Sequence, residues 1–295
     1  MAYELVVHPD GWRTVSPKPT PEELSAFYAN EYFQKSHGPY DQSYSETELA
    51  HRDLIARVLL HAIETARGRS AQGGRLLEVG CGEGWFLAAA KGAGYAVQGL
   101  DFSEDALRRF HPELIEAVRF GDAFEGLDRL IDEGVSVDVC VIEHVLEHVL
   151  DPEALLGRLR RIVRPGGVAA ISVPNDFNPV QMALRASGRL DRDVWVVPPE
   201  HISYFNTDNL PRLIERCGFE VKLAYAGFPI DWFLMHPGSN YVADPAAGKP
   251  AHAARMAIDM MLAERGVDAY LNFARALFAC GAGRNQTVIA APHEG

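Results

Sequence analysis

A short apolar run that ends on three glycines at alternate positions limits this chain's folding options more than any other feature. The run is Leu76-Leu77-Glu78-Val79-Gly80-Cys81-Gly82-Glu83-Gly84. Its first half suits a buried strand, and the residues from Trp85 onward carry helical periodicity, so the glycines fall where a strand turns into a helix. Glycine there lets the backbone adopt positive φ and lets a ligand approach closely, while the helix start offers N–H groups that lack intrahelical partners. From Gly74 the alternation repeats. Apolar runs at 75–79, 96–100, 118–120, 137–142, 168–173, 221–226 and 287–290 are separated by helical stretches at 85–92, 104–110, 152–163 and 208–217. Strands alternating with helices predict an α/β fold with a mostly parallel sheet and helices on both faces.

With 295 residues, the chain has room for one large α/β domain plus appendages, and its 47% apolar content supplies a sizeable core. The formal charge of −12, from 28 basic and 40 acidic residues, argues against nucleic acid or an anionic membrane as partner. Both are bound through clustered Lys and Arg. Cys81, Cys140, Cys217 and Cys280 lie about 60 to 77 positions apart with no C-x-x-C pair, which suits neither a zinc ribbon nor a disulfide framework. Reduced thiols in a cytoplasmic protein are expected. Residues 1–13 have no basic segment followed by an apolar run, and no run of about 18 apolar residues occurs, so neither a signal peptide nor a membrane span is expected.

Residues 9–21 are rich in proline and glycine, and an aromatic stretch follows with Phe27, Tyr28, Tyr32, Phe33, Tyr40 and Tyr44. Ser45-Glu46-Thr47-Glu48 is a capping box that opens a helix with Leu54, Ile55, Val58, Leu59, Ala62 and Ile63 on its apolar face. Gly68 ends it. Residues 1–48 are expected to form an N-terminal lid or cap, and residues 49–292 the main domain. Interruptions at 174–206 and 228–285 are expected to complete the cap. The second reads as helical, with Met256, Met260 and Met261 on one face and Val267, Tyr270, Leu271, Ala274 and Phe278 on another. Methionines in such a pattern fill cores.

Asp101 ends the second apolar run, 21 positions after Gly80, where an acid can accept from two ribose hydroxyls. Nicotinamide dinucleotide folds share that geometry, so loop and acid alone leave the cofactor open. The spacing discriminates. A dinucleotide fingerprint is G-x-G-x-x-G, whereas Gly80, Gly82 and Gly84 give G-x-G-x-G with Glu78 two places ahead. A carboxylate beside that loop repels pyrophosphate and favours a cationic ligand.

The E-x-G-x-G-x-G form resembles motif I of class I S-adenosylmethionine-dependent methyltransferases. Gly99-Leu100-Asp101-Phe102-Ser103 resembles the next motif of that family, and Gly121-Asp122-Ala123 resembles its adenine-reading segment. Residues 139–151 are similar to the fourth strand of the small-molecule branch, and Arg164-Pro165-Gly166-Gly167 to the approach to its fifth. The resemblance spans about residues 74 to 227. It implies a Rossmann-like, seven-stranded, mostly parallel sheet whose last strand is antiparallel, with S-adenosyl-L-methionine as cofactor. By that resemblance Glu78, Gly80, Gly82, Gly84, Asp101, Phe102, Asp122 and Ala123 hold the cofactor, and Glu143 faces its ammonium. The N-terminal tyrosines resemble the family's aromatic lid.

Methyl transfer is an in-line displacement at carbon, so holding the acceptor near the methyl does much of the work. An alcohol acceptor also needs a base with a pKa near the working pH, for which histidine is suited. His144 follows a strand at its carboxyl end, where ligands of open α/β sheets bind, and is the expected base. His201 is the second candidate. Its segment, Pro198-Pro199-Glu200-His201-Ile202-Ser203-Tyr204-Phe205, resembles one that lines the acceptor pocket in this branch. His148 and His51 are read as structural. His144-Val145-Leu146-Glu147-His148 also matches an H-x-x-E-H zinc-peptidase pattern, but that chemistry needs both histidines on one helix. Here a strand runs directly into His144, so no metal is expected.

The expected acceptor is a small polar metabolite, a sugar or secondary metabolite methylated on a hydroxyl. Carbon or nitrogen methylation is the alternative within the same fold, and a NAD-dependent oxidoreductase a distant one. A homodimer is compatible with the sequence, which carries no feature that sets oligomeric state.

Overall fold

The computed structural model describes residues 3–27, 43–71 and 73–293. Near the N-terminus, β1 (Glu4–Val7) and β2 (Arg13–Ser16) form an antiparallel pair, and α1 (Pro21–Phe27) follows. The long helix α2 (Glu46–Arg67) has the expected capping box: Ser45 accepts from the Glu48 amide, and the Glu48 carboxylate accepts from the Ser45 amide. Gly68 closes it in the left-handed region, φ +65°.

The main domain then alternates strand and helix. In order these are β3 (Arg75–Val79), α3 (Trp85–Gly92), β4 (Ala96–Asp101), α4 (Asp105–Phe110), β5 (Val118–Phe120), α5 (Ala123–Asp132), β6 (Val137–Glu143) and α6 (Pro152–Ile162). They continue with β7 (Val163–Pro174), α7 (Pro179–Ala186), β8 (Ser203–Tyr204), α8 (Leu210–Arg216), β9 (Phe219–Ala226), α9 (Gly248–Ala263), α10 (Val267–Ala279) and β10 (Asn285–Pro292). Seven strands form one sheet in the order β5-β4-β3-β6-β7-β10-β9. The first five are parallel, and β10 runs antiparallel between β7 and β9, as expected for the last strand.

Side-chain alternation divides the core between the two sheet faces. Leu76, Val139 and Val141 pack with Leu54, Leu59 and Ile63 of α2 and with Leu271 of α10. Leu77, Cys140 and Ile142 pack with Leu127 of α5, Leu155 of α6 and Leu213 of α8. One buried carboxylate ties the strand starts together. Asp138, 2% exposed, meets Arg67 at 2.6 Å and Arg69 at 3.3 Å, pairs with Arg164, and accepts from the Arg75 amide at 2.9 Å.

Three features depart from the sequence reading. β2 pairs with β8, so the N-terminal segment is welded into a small three-stranded sheet with the segment that bears His201. The interruption at 174–206 contains α7, capped by the Asn178 side chain. The interruption at 228–285 is not one cap: α10 buries Tyr270, Leu271 and Ala274 in the core against α2, while α9 reaches the cavity. Met256 is buried and lines the cavity, Met260 packs against the core, and Met261 is 56% exposed. Among the described residues no helix is long and apolar enough to cross a membrane. All four cysteines are free thiols.

Candidate cofactor and acceptor site

The carboxyl ends of β3, β4 and β6 open into a cavity of about 1400 Å³. It lies where the strand order reverses between β3 and β6, the place at which open α/β sheets bind ligands. Glu78, Gly80, Gly82, Asp101 and Phe102 line it, and so do Asp122, Ala123, Glu143, His144 and His201. Gly84 does not reach it. At φ +85° it turns the chain into α3, and a Cβ there would lie 2.5 Å from Leu107 Cδ1, so its glycine serves packing against α4.

The loop after β3 is shaped by its neighbours. Gly80 has φ +76°, and a Cβ on it would lie 2.5 Å from Val145 Cγ2, so this position requires glycine on two counts. Asp101 Oδ2 accepts from the Gly82 amide at 2.7 Å, and Oδ1 accepts from the Ser103 amide at 3.1 Å. The acid at the end of β4 therefore fixes the loop as well as facing the cavity. Glu78 is 3% exposed, and its Oε2 has no hydrogen-bond partner among the described residues.

These carboxylates set the field of the site. Burial pushes Glu78 well above the usual carboxylate range, with the charges of Glu143 and Asp101 adding to it. Burial likewise raises Asp101 and Glu143. A cation placed here would relieve that strain, whereas a pyrophosphate would deepen it. S-adenosylmethionine, with its ammonium and sulfonium, fits this donor set, and the unpartnered Glu78 oxygen is the sign of it.

At the other end, Phe102 is 51% exposed beside Asp122 and Ala123. Asp122 Oδ1 accepts from the amides of Phe124 and Glu125 at 2.9 and 3.0 Å, capping α5 at the rim of the cavity. The helix α5 itself was not legible as one, although its cap was singled out.

Glu83 is a residue that motif reading passed over. Buried at 4% exposure, it accepts from the Tyr44 hydroxyl at 2.5 Å and the Trp85 indole at 2.6 Å, and it pairs with Arg52 at 3.2 Å. The Arg52 guanidinium stacks over the Tyr44 ring at 3.9 Å. Tyr44, Leu24 and Pro21 line the cavity. Tyr28, Tyr32, Phe33 and Tyr40 lie outside the described residues.

The expected acceptor side lies on the loop after β6. His144 has φ +54°, a left-handed conformation that is rare for a non-glycine residue and tends to be stored at functional sites. Its Nδ1 lies 3.1 Å from Glu147 Oε1, and its Nε2 lies 3.4 Å from the Asn285 amide nitrogen. With Glu147 as acceptor and Asn285 as donor, the proton sits on Nδ1 and the lone pair on Nε2. The side chain is 45% accessible, through the cavity it lines. Burial lowers its pKa, but the bond to Glu147 and the charges of Glu147 and Glu143 outweigh that, and the net shift is upward.

Glu147 is 1% exposed. Burial alone would raise it, yet the His144 bond and the neighbouring His148, His144 and His201 hold it at about 2. Its backbone carbonyl accepts from the amides of Ile202 and Ser203 at 2.8 and 3.1 Å, which brings His201 to the same wall. His148 Nδ1 donates to the Glu200 carbonyl at 2.7 Å. His51, read as structural, bonds Asp259 at 2.8 Å. Arg255, Arg284 and Asn285 also line the cavity, brought from α9 and the start of β10. No local pattern marks these three, because only the long connections carry them there.

Residues 49–223 match the family model of a methyltransferase domain. The chain is 33% identical over 152 residues to a probable S-adenosylmethionine-dependent methyltransferase of Mycolicibacterium smegmatis, covering 50% of this chain and 52% of that protein. It is 28% identical over 188 residues to a ubiquinone biosynthesis O-methyltransferase of Ruegeria pomeroyi, covering 61% and 75%. The chain thus spans about half the length of the first of these relatives. A crystal structure of a SAM-dependent methyltransferase from Archaeoglobus fulgidus has the same fold, with TM-score 0.50 and 21% identity, covering 81% of this chain and 94% of that one. With its seven-stranded sheet, its acidic glycine loop and a family match over more than half its length, this chain belongs to the class I S-adenosylmethionine-dependent methyltransferases.

Proposed function

We propose that this protein transfers a methyl group from S-adenosylmethionine to an oxygen of a small polar acceptor, a hydroxyl of a sugar or related metabolite. The observation that carries the reading is the His144–Glu147 pair, which turns the Nε2 lone pair of a histidine toward the cavity. Glu78, Gly80, Gly82 and Asp101 would hold the amino-acid and ribose parts of the cofactor, Phe102, Asp122 and Ala123 its adenine, and Glu143 its ammonium. When bound, the cofactor supplies an activated methyl group on a sulfonium.

The chain's own residues do the rest. Glu147 keeps the His144 ring in one tautomer and favours its protonated form as the acceptor proton moves to Nε2. Asn285 donates to Nε2 at 3.4 Å, a long bond that an acceptor hydroxyl can replace. His201, brought to the same wall by the Glu147 carbonyl, orients the acceptor. Arg284, Arg255 and Thr287 add polar groups to the wall, which suits a hydroxyl-bearing ligand. That Tyr44, Leu24 and Pro21 line the cavity supports reading residues 1–48 as a lid over the main domain, 49–292.

The oxygen methylation in the name of the Ruegeria relative agrees with this reading. The test is incubation of the protein with metabolite extracts and cofactor carrying a labelled methyl group, followed by mass spectrometry. A labelled product gaining one methylene on oxygen is expected. A product methylated on carbon or nitrogen would replace the oxygen reading, and absence of any labelled product in the presence of bound cofactor would remove the enzyme reading.

A further inference from the structure

The cavity is electrically two-sided. Its cofactor end is acidic, with Glu78, Asp101 and Glu143, whereas α2, α9 and the approach to β10 bring Arg52, Arg255 and Arg284 to its wall. Two of these guanidinium groups are already matched. Arg284 pairs with Asp176 at 2.8 Å, and Arg52 pairs with Glu83 at 3.2 Å and stacks on the Tyr44 ring. Arg255 is not. Its Nε is buried and makes no hydrogen bond, and Arg255 forms no ion pair among the described residues.

The helix α9 accounts for both its position and its lack of a partner. His252, Arg255, Met256 and Asp259 are spaced i, i+3, i+4, i+7, which puts them on one helical face, and all four line the cavity. Asp259, one turn beyond Arg255, is the carboxylate that an i, i+4 pair would use. Both of its oxygens are taken: Oδ2 bonds His51 Nε2 at 2.8 Å, and Oδ1 accepts from the Tyr270 hydroxyl at 2.8 Å. Glu48, another acid on this wall, is held by the capping box with Ser45. Burial lowers the Arg255 pKa by more than the charge of Asp259 raises it. A guanidinium nevertheless stays ionised at any working pH. An ionised group withdrawn from water lowers stability unless a counter-charge meets it. In a cavity wall, that counter-charge comes from a ligand.

We propose that the methyl acceptor bears an anionic group, a carboxylate or a phosphate, and that Arg255 binds it. The inference rests on the methyl-transfer reading and narrows its acceptor from polar to anionic. A guanidinium meets the oxygens of either group through two parallel N–H bonds, which gives orientation as well as affinity. His252, three residues earlier on the same face, adds a ring nitrogen to the subsite. The opposed charges sort the two ligands. The cationic cofactor is drawn to Glu78, Asp101 and Glu143, and the anion of the acceptor is drawn away from them toward α9. A chain with a formal charge of −12 repels anions at long range, so an anionic acceptor needs a dedicated cation inside the cavity.

The first measurement is the melting temperature of the protein with S-adenosylhomocysteine bound, in inorganic phosphate or acetate against chloride at equal ionic strength. At least one of the two anions is expected to stabilise the unaltered protein and to lose that effect in Arg255→Gln. Without added anion, Arg255→Gln is expected to melt higher than the unaltered protein, because an unpaired charge has gone. The second measurement is anion-exchange chromatography of the labelled product formed from metabolite extracts. Retention is expected; its loss on phosphatase treatment assigns a phosphate, and its persistence a carboxylate. With that acceptor, Arg255→Gln should raise KM by about 10–100-fold and change kcat only a few-fold, and Arg255→Lys should recover part of the loss. No stabilisation by either anion, equal stabilisation in Arg255→Gln, or a lower melting temperature in that variant would overturn the proposal. Should Arg255→Gln fail to fold, Arg255→Lys carries the same comparison. A neutral labelled product removes this inference alone. Bound cofactor with no labelled product removes the methyl-transfer reading instead, and the melting data then decide whether Arg255 binds an anion.

Discussion

The hydroxyl of Tyr44 donates to Oε1 of Glu83 at 2.5 Å, so a buried carboxylate in the glycine loop anchors the segment that leads into α2. A bond to an ionised group contributes about 1.5–3 kcal/mol. A double-mutant cycle of Tyr44→Phe and Glu83→Gln, followed by urea denaturation, should give a coupling in that range. A coupling near zero would mean that Arg52 and Trp85 alone position Glu83.

Asp101 is the second test, because it serves both ligand and loop. Asp101→Ala is expected to weaken S-adenosylmethionine binding by about 1.5–3 kcal/mol. The loss should exceed that of Asp101→Asn, in which one side-chain oxygen remains to accept from the Gly82 amide at Asp101's position. Calorimetry on folded variants decides; unchanged affinity in the alanine variant sinks the assignment.

Glu78 makes a prediction about pH. Its pKa is raised in the folded protein, so the folded state holds a proton that the unfolded state has released. Stability from this group is therefore fully present below the ordinary carboxylate pKa of about 4.5 and is lost as pH rises through the higher folded value. Glu78→Gln should flatten that decline and stabilise the cofactor-free protein at neutral pH. The same substitution should weaken binding of the cationic cofactor. Denaturation midpoints across pH, with and without cofactor, check both signs.

Much of this was legible in the sequence, and the reason is local. The strands β3 and β5 and the helix α3 fall where the apolar runs and their periodicity put them, and the cofactor side of the cavity is made by short motifs that each sit at one strand end. The rest depends on distant pairing. β1 and β2 are four residues each, with β2 inside a proline-rich stretch, and distant β8 extends their pair into a three-stranded sheet. The 228–285 segment read as a single cap because Tyr270 and Leu271 look like any helical stripe. Their burial against α2 makes α10 a layer of the domain, and replacing the whole segment would strip the core. Glu147 and His148 were visible as letters, yet their meeting with His201 required the fold.

His144 carries the catalytic prediction. His144→Ala should lower kcat by about 10²–10⁴, the usual effect of losing a general base. Cofactor affinity should stay nearly constant, because the base is needed only as the transition state forms. Steady-state kinetics with the identified acceptor, alongside calorimetry, separate the two. A change of only a few-fold in kcat would make proximity the better account of the reaction.

The position of β10 has a consequence for how the protein is made. It follows the other described strands of the sheet in the sequence, yet it lies between β7 and β9 rather than at an edge. Until residue 292 has emerged, β7 and β9 each present an unpaired edge with nothing to join them, and Asn285 is not yet beside His144. The nascent chain can therefore build its cofactor half early, but it carries a gap in the sheet until β10 has emerged. Such a gap invites pairing with other chains. Chaperone demand during expression should thus fall on the interval between the completion of β9 and the arrival of β10.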